Sequence, residues 1–326
     1  MKKMRQALTA ALLAFSLVIV MLPGMQASAA NPVRQVGIKS TSITVKWTRP
    51  KLSSGDKLTS YLLYAGKDYS SKKLIRKLSP STTSYTFKKL KAGATKYVEV
   101  KYHFKTSYGA YTYSLGSVYD AKTIPGKVTG LKQERWYYFI NSVDVVWNGK
   151  TSADGYQYQF AQYNGKGVRN GKVDYAASKP SASFNKIKNT MIYTIKVRPY
   201  TMFNGKRYNG PWTGKTYLFT QPQITSATVA SKGKLKNKLR VKWNKVAGAT
   251  SYRIFVSTKP ESGYKSMKLV GSSVSSATIA KFNNKVFNPK TTYYVYVLTQ
   301  KKVGKKVFNS GRLYYWNTKT AEFKYF

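Results

Sequence analysis

The sequence predicts an all-β protein built as three tandem β-sandwiches, on three observations. Three short stretches, Ile43-Thr44-Val45-Lys46-Trp47, Val143-Asp144-Val145-Val146-Trp147 and Leu239-Arg240-Val241-Lys242-Trp243, put apolar residues at every second position and end on tryptophan. Such alternation is the mark of a strand buried on one face. The tryptophans lie 100 and 96 residues apart, the length of one small sandwich domain. The spacing after each tryptophan also recurs. A strand tyrosine follows at 14, 9 and 9 residues (Tyr61, Tyr156, Tyr252), and a second one a further 36, 37 and 41 residues on (Tyr97, Tyr193, Tyr293). Matching intervals of this kind argue for duplication of one unit.

Residues 1–30 read as an export signal. Lys2, Lys3 and Arg5 precede an uncharged apolar run from Ala7 to Leu22, Pro23-Gly24 breaks it, and Ala27-Ser28-Ala29 offers small residues for cleavage. The run has 16 residues, short of the roughly 20 that span a bilayer. No second long apolar run follows, so no membrane span is expected once the signal is removed. Repeat 1 covers residues 31–124. After Trp47 it has a long turn, Arg49 to Lys57 with Pro50 and Gly55, then strands at Tyr61–Tyr64, Thr83–Phe87 and Tyr97–Phe104. In the last of these Val98, Val100, Tyr102 and Phe104 alternate with Glu99, Lys101 and His103. Tyr108-Gly109 marks a turn, and Val118 to Thr123 closes the unit. Repeat 2, residues 125–221, opens at Pro125-Gly126. Tyr156, Tyr158 and Phe160 share one strand face, Met191 to Tyr200 forms another strand, and Asn204-Gly205 supplies a hairpin turn whose residues tolerate positive φ. Repeat 3, residues 222–326, repeats the pattern with Tyr252, Ile254 and Val256, then Tyr293, Val295 and Val297.

These residues resemble the fibronectin type III family in its bacterial secreted form. The resemblance rests on the strand tryptophans, on the corner Phe287-Asn288-Pro289-Lys290-Thr291-Thr292-Tyr293, and on the opening Pro125 to Leu131. Repeat 2 departs from it, with Ile187-Lys188-Asn189-Thr190 before Tyr193 and no proline. Repeat 1 has one residue too many between Leu90 and Tyr97. The resemblance implies a topology in which the turn before Leu239 shares a pole with loops carrying Lys259, Lys265, Lys268, Lys285 and Lys290. Lys301, Lys302, Lys305 and Lys306 would lie on a hairpin at the other pole.

Catalysis finds little to use. The chain has 326 residues, no cysteine, a single histidine (His103) and 10 acidic residues against 57 Lys and Arg. Disulfides and thiolate metal sites are excluded. Nucleophile–base pairs and paired carboxylates need groups brought together, and no spacing suggests such a pair. No metal-binding helix, phosphate-gripping glycine loop or dinucleotide fingerprint occurs. The expectation is a protein that is not an enzyme and has no catalytic residues, cofactor or metal.

The formal net charge of +47 strongly favours polyanionic partners. Basic and acidic side chains number 18 and 4 in repeat 1, 15 and 4 in repeat 2, and 21 and 2 in repeat 3. The candidate polyanion-binding residues are Lys232, Lys234, Lys236, Lys238, Arg240 and Lys242, where every second residue is basic, with Lys301, Lys302, Lys305 and Lys306. In an extended strand Leu239, Val241 and Trp243 face inward, and Lys238, Arg240 and Lys242 line the other side. Lysine outnumbers arginine, which suits diffuse attraction to many charges over forked recognition of one. The competing reading is a lysine-rich soluble surface that also blunts edge strands, although solubility needs a charge of only about 2–8 for a small domain.

The run Trp136-Tyr137-Tyr138-Phe139 must present rings to both faces of any strand. Trp136, Tyr138 and Trp212 are therefore the candidate aromatic glycan platform, with packing at a domain joint as the alternative for the run. The expected protein is secreted or extracellular, retained non-covalently on a Gram-positive cell wall, and non-catalytic. Its expected partners are anionic polymers of the wall or extracellular matrix, such as teichoic acid or acidic polysaccharide. Glycan recognition through exposed aromatics and a structural spacer are the alternatives. No groove-reading helix is available, so no specific nucleic acid is expected.

Overall fold

The computed structural model describes residues 31–150, 152–174 and 179–326, so the expected export signal lies outside the described residues. The described chain is all β, in three successive sandwiches. Unit 1 contains β1 (Val33–Ile38), β2 (Ile43–Trp47), β3 (Lys57–Gly66), β4 (Lys73–Leu78), β5 (Ser84–Phe87), β6 (Thr95–Thr106) and β7 (Gly109–Lys122). Its sheets are ordered β1-β2-β5 and β4-β3-β6-β7. Unit 2 contains β8 (Thr129–Tyr137), β9 (Ser142–Asn148), β10 (Gly155–Gln162), β11 (Arg169–Val173), β12 (Ser181–Phe184), β13 (Tyr193–Phe203), β14 (Lys206–Asn209) and β15 (Thr216–Leu218). The order is β12-β9-β8 facing β11-β10-β13, with β14 and β15 both pairing with β13.

Unit 3 contains β16 (Ile224–Val229), β17 (Leu239–Trp243), β18 (Ser251–Ser257), β19 (Lys265–Gly271), β20 (Ser276–Ile279), β21 (Lys281–Phe282), β22 (Lys285–Val286), β23 (Tyr294–Val303), β24 (Lys306–Asn309), β25 (Tyr314–Asn317) and β26 (Glu322–Tyr325). Here β16-β17-β20 faces β19-β18-β23-β25-β26, and β24 pairs with β23. The same connectivity thus occurs three times, with every strand pair inside the sheets antiparallel.

Alternation places the core. Trp47, Trp147 and Trp243 are all buried, and each meets the tyrosine of the facing sheet, Tyr61, Tyr156 or Tyr252, at ring-centroid distances of 5.5, 5.6 and 5.4 Å. Burying a tyrosine requires a partner for its hydroxyl. In units 2 and 3 the turn nine residues long supplies it: Lys150 N–H donates to Tyr156 Oη at 2.6 Å and Val246 N–H to Tyr252 Oη at 2.7 Å. The longer turn of unit 1 brings the Arg49 guanidinium beside Tyr61 instead. A glutamine on the first strand of each unit reaches the last. Gln35 accepts from Lys122 N–H and donates to Lys122 C=O (3.0 and 2.9 Å), Gln133 accepts from Phe219 N–H (3.0 Å), and Gln221 accepts from Tyr314 N–H (2.8 Å).

The second tyrosine divides the units. Tyr193 Oη accepts from Lys188 N–H at 2.8 Å, and Tyr293 Oη from Asn288 N–H at 3.1 Å, so each pins the loop five residues before it. The missing proline of repeat 2 does not prevent this corner. In repeat 1 the extra residue reverses the parity, since side chains alternate along a strand. Tyr97 turns to the outer face, against Tyr69 and Tyr119 (5.5 and 5.2 Å), while Val98 and Val100 enter the core. The buried Thr123 hydroxyl closes the corner there, accepting from Ala94 N–H at 2.9 Å and donating to Lys91 C=O at 3.0 Å.

Tyr193→Phe and Tyr293→Phe should therefore each destabilise their own unit by about 1 kcal/mol, the net worth of one buried hydrogen bond. Tyr97→Phe should leave unit 1 unchanged, and Thr123→Val should weaken it. Unit-resolved hydrogen exchange reads these differences.

Candidate functional site

On β17, Leu239, Val241 and Trp243 are buried, and Arg240 and Lys242 are exposed. Register places Arg240 between Thr228 and Thr278, and Lys242 between Ser226 and Ser276. The outer face of the smaller sheet is thus a row of cations set among hydroxyls, with no carboxylate in its three strands. Lys232, Lys234 and Lys236 do not continue the strand. They are exposed on the turn from Ala230 to Lys238, which is shaped by Gly233 and Asn237 at φ 73° and 57° and held by Asn237 N–H donating to Ala230 C=O at 2.8 Å. Lys238 is half-buried before β17, and its Nζ reaches Lys234 C=O at 3.5 Å. Phe287 N–H donates to Asn237 C=O at 3.2 Å, which brings the loop of Lys285 and Lys290 to the same pole. Lys265 and Lys268 lie on β19 rather than in a loop.

The hairpin β23–β24 carries Lys301, Lys302 and Lys306, with Lys305 in its turn. Lys302 and Lys305 rim a groove of about 750 Å³ on the outer face of the larger sheet, with Arg253 beside them and Phe255, Leu269, Leu298 and Val307 as its apolar walls. Lys306 Nζ lies 4.7 Å from the Phe308 ring centre. Lys301 departs from the expectation. It is only 6 % exposed, its Nζ donates to Gly248 C=O at 2.7 Å, and it sits 3.7 Å above the Tyr163 ring of unit 2. It belongs to the joint between units and leaves the exposed cationic set.

The aromatic candidates also separate. Trp136 is 4 % exposed, in the core of unit 2, where its indole N–H donates to Asn189 Oδ1 at 2.7 Å, so it offers no ring to a ligand. Tyr138 packs on Tyr314 of unit 3 at 6.1 Å, and Phe139 meets Tyr325 at 5.7 Å. Burial, then the neighbouring Tyr325, pushes the Tyr138 phenol up from its usual value. The aromatic run is therefore a joint, apart from its buried first member. Trp212 is half-buried on the larger sheet of unit 2 between Lys196 and Arg198, whose charges lie 4.8 and 4.6 Å from the ring centre. Arg198 donates to Gln157 Oε1 at 2.8 Å, and burial followed by the nearby Arg207 lowers its pKa. Trp212 thus forms part of a cation–ring ladder beside a groove of about 390 Å³.

The joints use corresponding poles. Between units 2 and 3, Ile192 N–H donates to Ala247 C=O (3.3 Å) and Ala247 N–H to Thr190 C=O (2.7 Å), Ile192 and Phe219 enter the core of unit 3, and Phe308 packs on Tyr217 at 4.8 Å. Gly248, at φ 89°, lets the backbone pass the Tyr163 ring, which an added Cβ would approach to 3.2 Å. Between units 1 and 2 the contact is polar. Lys122 Nζ lies 3.2 Å from Asp154 Oδ2, which also accepts from Thr201 Oγ1 (2.8 Å) and Met202 N–H (2.5 Å). Beside it a crevice of about 490 Å³ separates Arg34 and Tyr119 from Met202 and Phe203. In units 1 and 2 the loops after the first strand thus lie at the pole that seats the next unit. In unit 3 the corresponding pole carries the lysine turn, and no other described unit is seated on it.

Among the described residues no three histidine or carboxylate side chains are grouped as a metal site requires, and no helix is long and apolar enough to cross a membrane. Residues 28–118 match the fibronectin type III domain. Two solved structures are similar to the chain: a two-domain fibronectin type III segment of chicken tenascin and the FN1–FN3 domains of chicken CNTN1. The tenascin segment is 16 % identical, with 58 % of this chain and 97 % of that one covered and a TM-score of 0.33. The CNTN1 structure is 14 % identical, with 85 % and 96 % covered and a TM-score of 0.31. No curated protein matches the sequence.

Burial raises the Asp154 pKa, but its hydrogen bonds to Met202, Thr201 and Lys122 outweigh this and hold the carboxyl below its usual range. A carboxylate lowered on folding stabilises fully above its unfolded value, about 3.9, and loses that contribution as pH falls through the folded value. The pair is partly exposed, so its worth is about 0.5 kcal/mol. Asp154→Asn at neutral pH, or acidification of the native chain below about pH 4, should widen the spread of angles between units 1 and 2 in small-angle scattering. The apolar joint between units 2 and 3 should stay as it is.

Proposed function

We propose that this chain of fibronectin type III-like sandwiches is a secreted, non-catalytic binding protein that holds anionic polymers of a cell wall or extracellular matrix. Domains of the matched type are typical of adhesion and binding proteins, and theirs is a non-catalytic fold family. The carrying observation is the open pole and small sheet of unit 3. Lys232, Lys234, Lys236, Arg240 and Lys242 are exposed there, and neither the turn nor the sheet contains a carboxylate. None of the ion pairs found among the described residues lies in unit 3. Its cations therefore lack carboxylate partners of that kind and keep their counterions in water, to be released when a polyanion arrives. The exposed lysines suit a flexible phosphate or carboxylate polymer better than a single rigid anion. The groove of Arg253, Lys302 and Lys305 offers a second point of attachment on the opposite sheet.

Binding to teichoic acid or an acidic polysaccharide should fall linearly on a log–log plot against salt. Lys232→Gln/Lys234→Gln/Lys236→Gln should reduce that slope by about 2, at roughly 0.7–0.9 for each polymer charge that is no longer neutralised. Lys73→Gln/Lys77→Gln/Lys88→Gln in unit 1, with the same change in net charge, should have a smaller effect. Binding that persists unchanged through high salt, or equal effects of the two triple variants, would falsify the assignment to unit 3.

A further inference from the structure

The hairpins that follow the corner strands have a consistent use in units 2 and 3. The β13–β14 hairpin brings Met202 and Phe203 to unit 1, and the β23–β24 hairpin seats Lys301 and Phe308 on unit 2. The corresponding hairpin of unit 1, β6–β7, meets no other unit among the described residues, and it carries rings. Tyr102 and Phe104 continue the face of Val98 and Val100 beyond the level of Trp47 and Tyr61. Tyr111 and Tyr113 pair with them across the hairpin. Phe104 is buried beneath Tyr111 and Tyr113 at 6.0 and 5.6 Å, and those two rings are parallel within 1° at 6.4 Å. Tyr111 and Tyr113 are 40 % and 53 % exposed, and Tyr108 at the tip is 91 % exposed.

Charge at this end points the same way. Lys57 and Lys105 are direct cross-strand partners, and both are exposed. Like charges placed opposite each other in a sheet are destabilising, and a bound anion relieves that repulsion. Arg49 and Lys51, in the turn leading to β3, add to the surplus, against Asp56 as the neighbouring carboxylate. The docked hairpins of units 2 and 3 present Met202, Phe203 and Phe308 to their neighbours, whereas the free one presents tyrosines. A phenol offers an apolar body and a polar tip, which suits a ligand that is itself half apolar and rich in hydroxyls. The +47 charge and the lysine pole of unit 3 oppose a second copy of the chain as occupant.

We propose that the free end of unit 1 is a second binding site, for an acidic polysaccharide. Sugar faces stack on Tyr111 and Tyr113, and the ligand's acid groups are held by Lys57 and Lys105. This site is separate from the lysine pole of unit 3, so the two are tested apart by using the full chain with Lys232→Gln/Lys234→Gln/Lys236→Gln throughout. Three probes are titrated: oligogalacturonate, a neutral oligoglucose, and poly-glutamate as an acidic chain without sugar rings. Oligogalacturonate should bind more tightly than either of the others. Tyr111→Ala/Tyr113→Ala should weaken it about tenfold, as expected when two stacking rings are removed, and leave poly-glutamate unchanged. Tyr111→Phe/Tyr113→Phe should retain most of the binding. Lys57→Gln/Lys105→Gln should lower oligogalacturonate affinity while raising the melting temperature of unit 1, which separates weaker ligand binding from damage to the fold. Unchanged oligogalacturonate affinity in the Tyr→Ala variant overturns the proposal. So does an equal loss for poly-glutamate, which would indicate an acidic peptide partner, or equal affinity for the neutral sugar.

Discussion

Trp47 meets Tyr61, Trp147 meets Tyr156 and Trp243 meets Tyr252 across the gap between the two sheets of their units, each ring pair tilted edge-on at 5.4–5.6 Å. Each pair joins the smaller sheet to the larger near the end of the second strand, and the inside of both strands is thereby set. Because side chains alternate, the outside is set as well. Arg240 and Lys242 point to water because Val241 and Trp243 cannot. The cationic face of unit 3 is thus a consequence of its core, and substitutions on it leave the aromatic pair intact.

The same parity shows what a one-residue change does. Six residues separate Phe287 from Tyr293 and Ile187 from Tyr193, and both tyrosines turn inward to pin a loop. Seven separate Leu90 from Tyr97, and that tyrosine faces out. Unit 1 then builds an outer cluster that the others lack: Lys72 stands 3.7 Å above the Tyr69 ring and is paired at 2.7 Å with the buried Glu99. A threonine from the last strand takes over the loop. Duplicated units have diverged here by moving one hydroxyl–amide bond to another residue while retaining the sheet order.

The strands were legible in the sequence because period-two alternation and repeated tryptophan–tyrosine intervals are local signals, and the outward direction of Arg240 and Lys242 followed from them. The joints were not legible. Lys301 reads as one more lysine of an exposed hairpin, and only the approach of Tyr163 and Gly248 from 138 and 53 residues earlier buries it. Trp136 reads as part of an aromatic run shared between two faces. Its burial depends on Asn189, 53 residues away, which accepts from its indole. The tyrosines of the β6–β7 hairpin could be read as a turn at Tyr108-Gly109, but their exposure depends on no unit being seated there. Spacing along the chain carries no record of that.

The placement of carboxylates explains how so basic a chain remains compact and where its charge is left uncovered. Glu99 is held by Lys72 and Ser114, Asp154 by Lys122, Thr201 and Met202, and Asp144 by Ser183. Asp68 accepts from Ser70 and Ser71 to shape its turn, and those bonds hold its carboxyl below the usual range. These scarce anions are engaged in sheets, turns and a joint of units 1 and 2, where they fix geometry. Exposed lysines that repel one another at a distance cost little in water, because ions screen them within about 10 Å. Lys57 and Lys105 are different, since they face each other across adjacent strands, well inside that distance. The open ends of the described chain therefore carry its least compensated cations, flanked by tyrosines at unit 1 and alternating with small polar residues at unit 3. Ends of different chemistry on a chain with one apolar joint and one polar joint suit a molecule that holds two kinds of anionic surface at once.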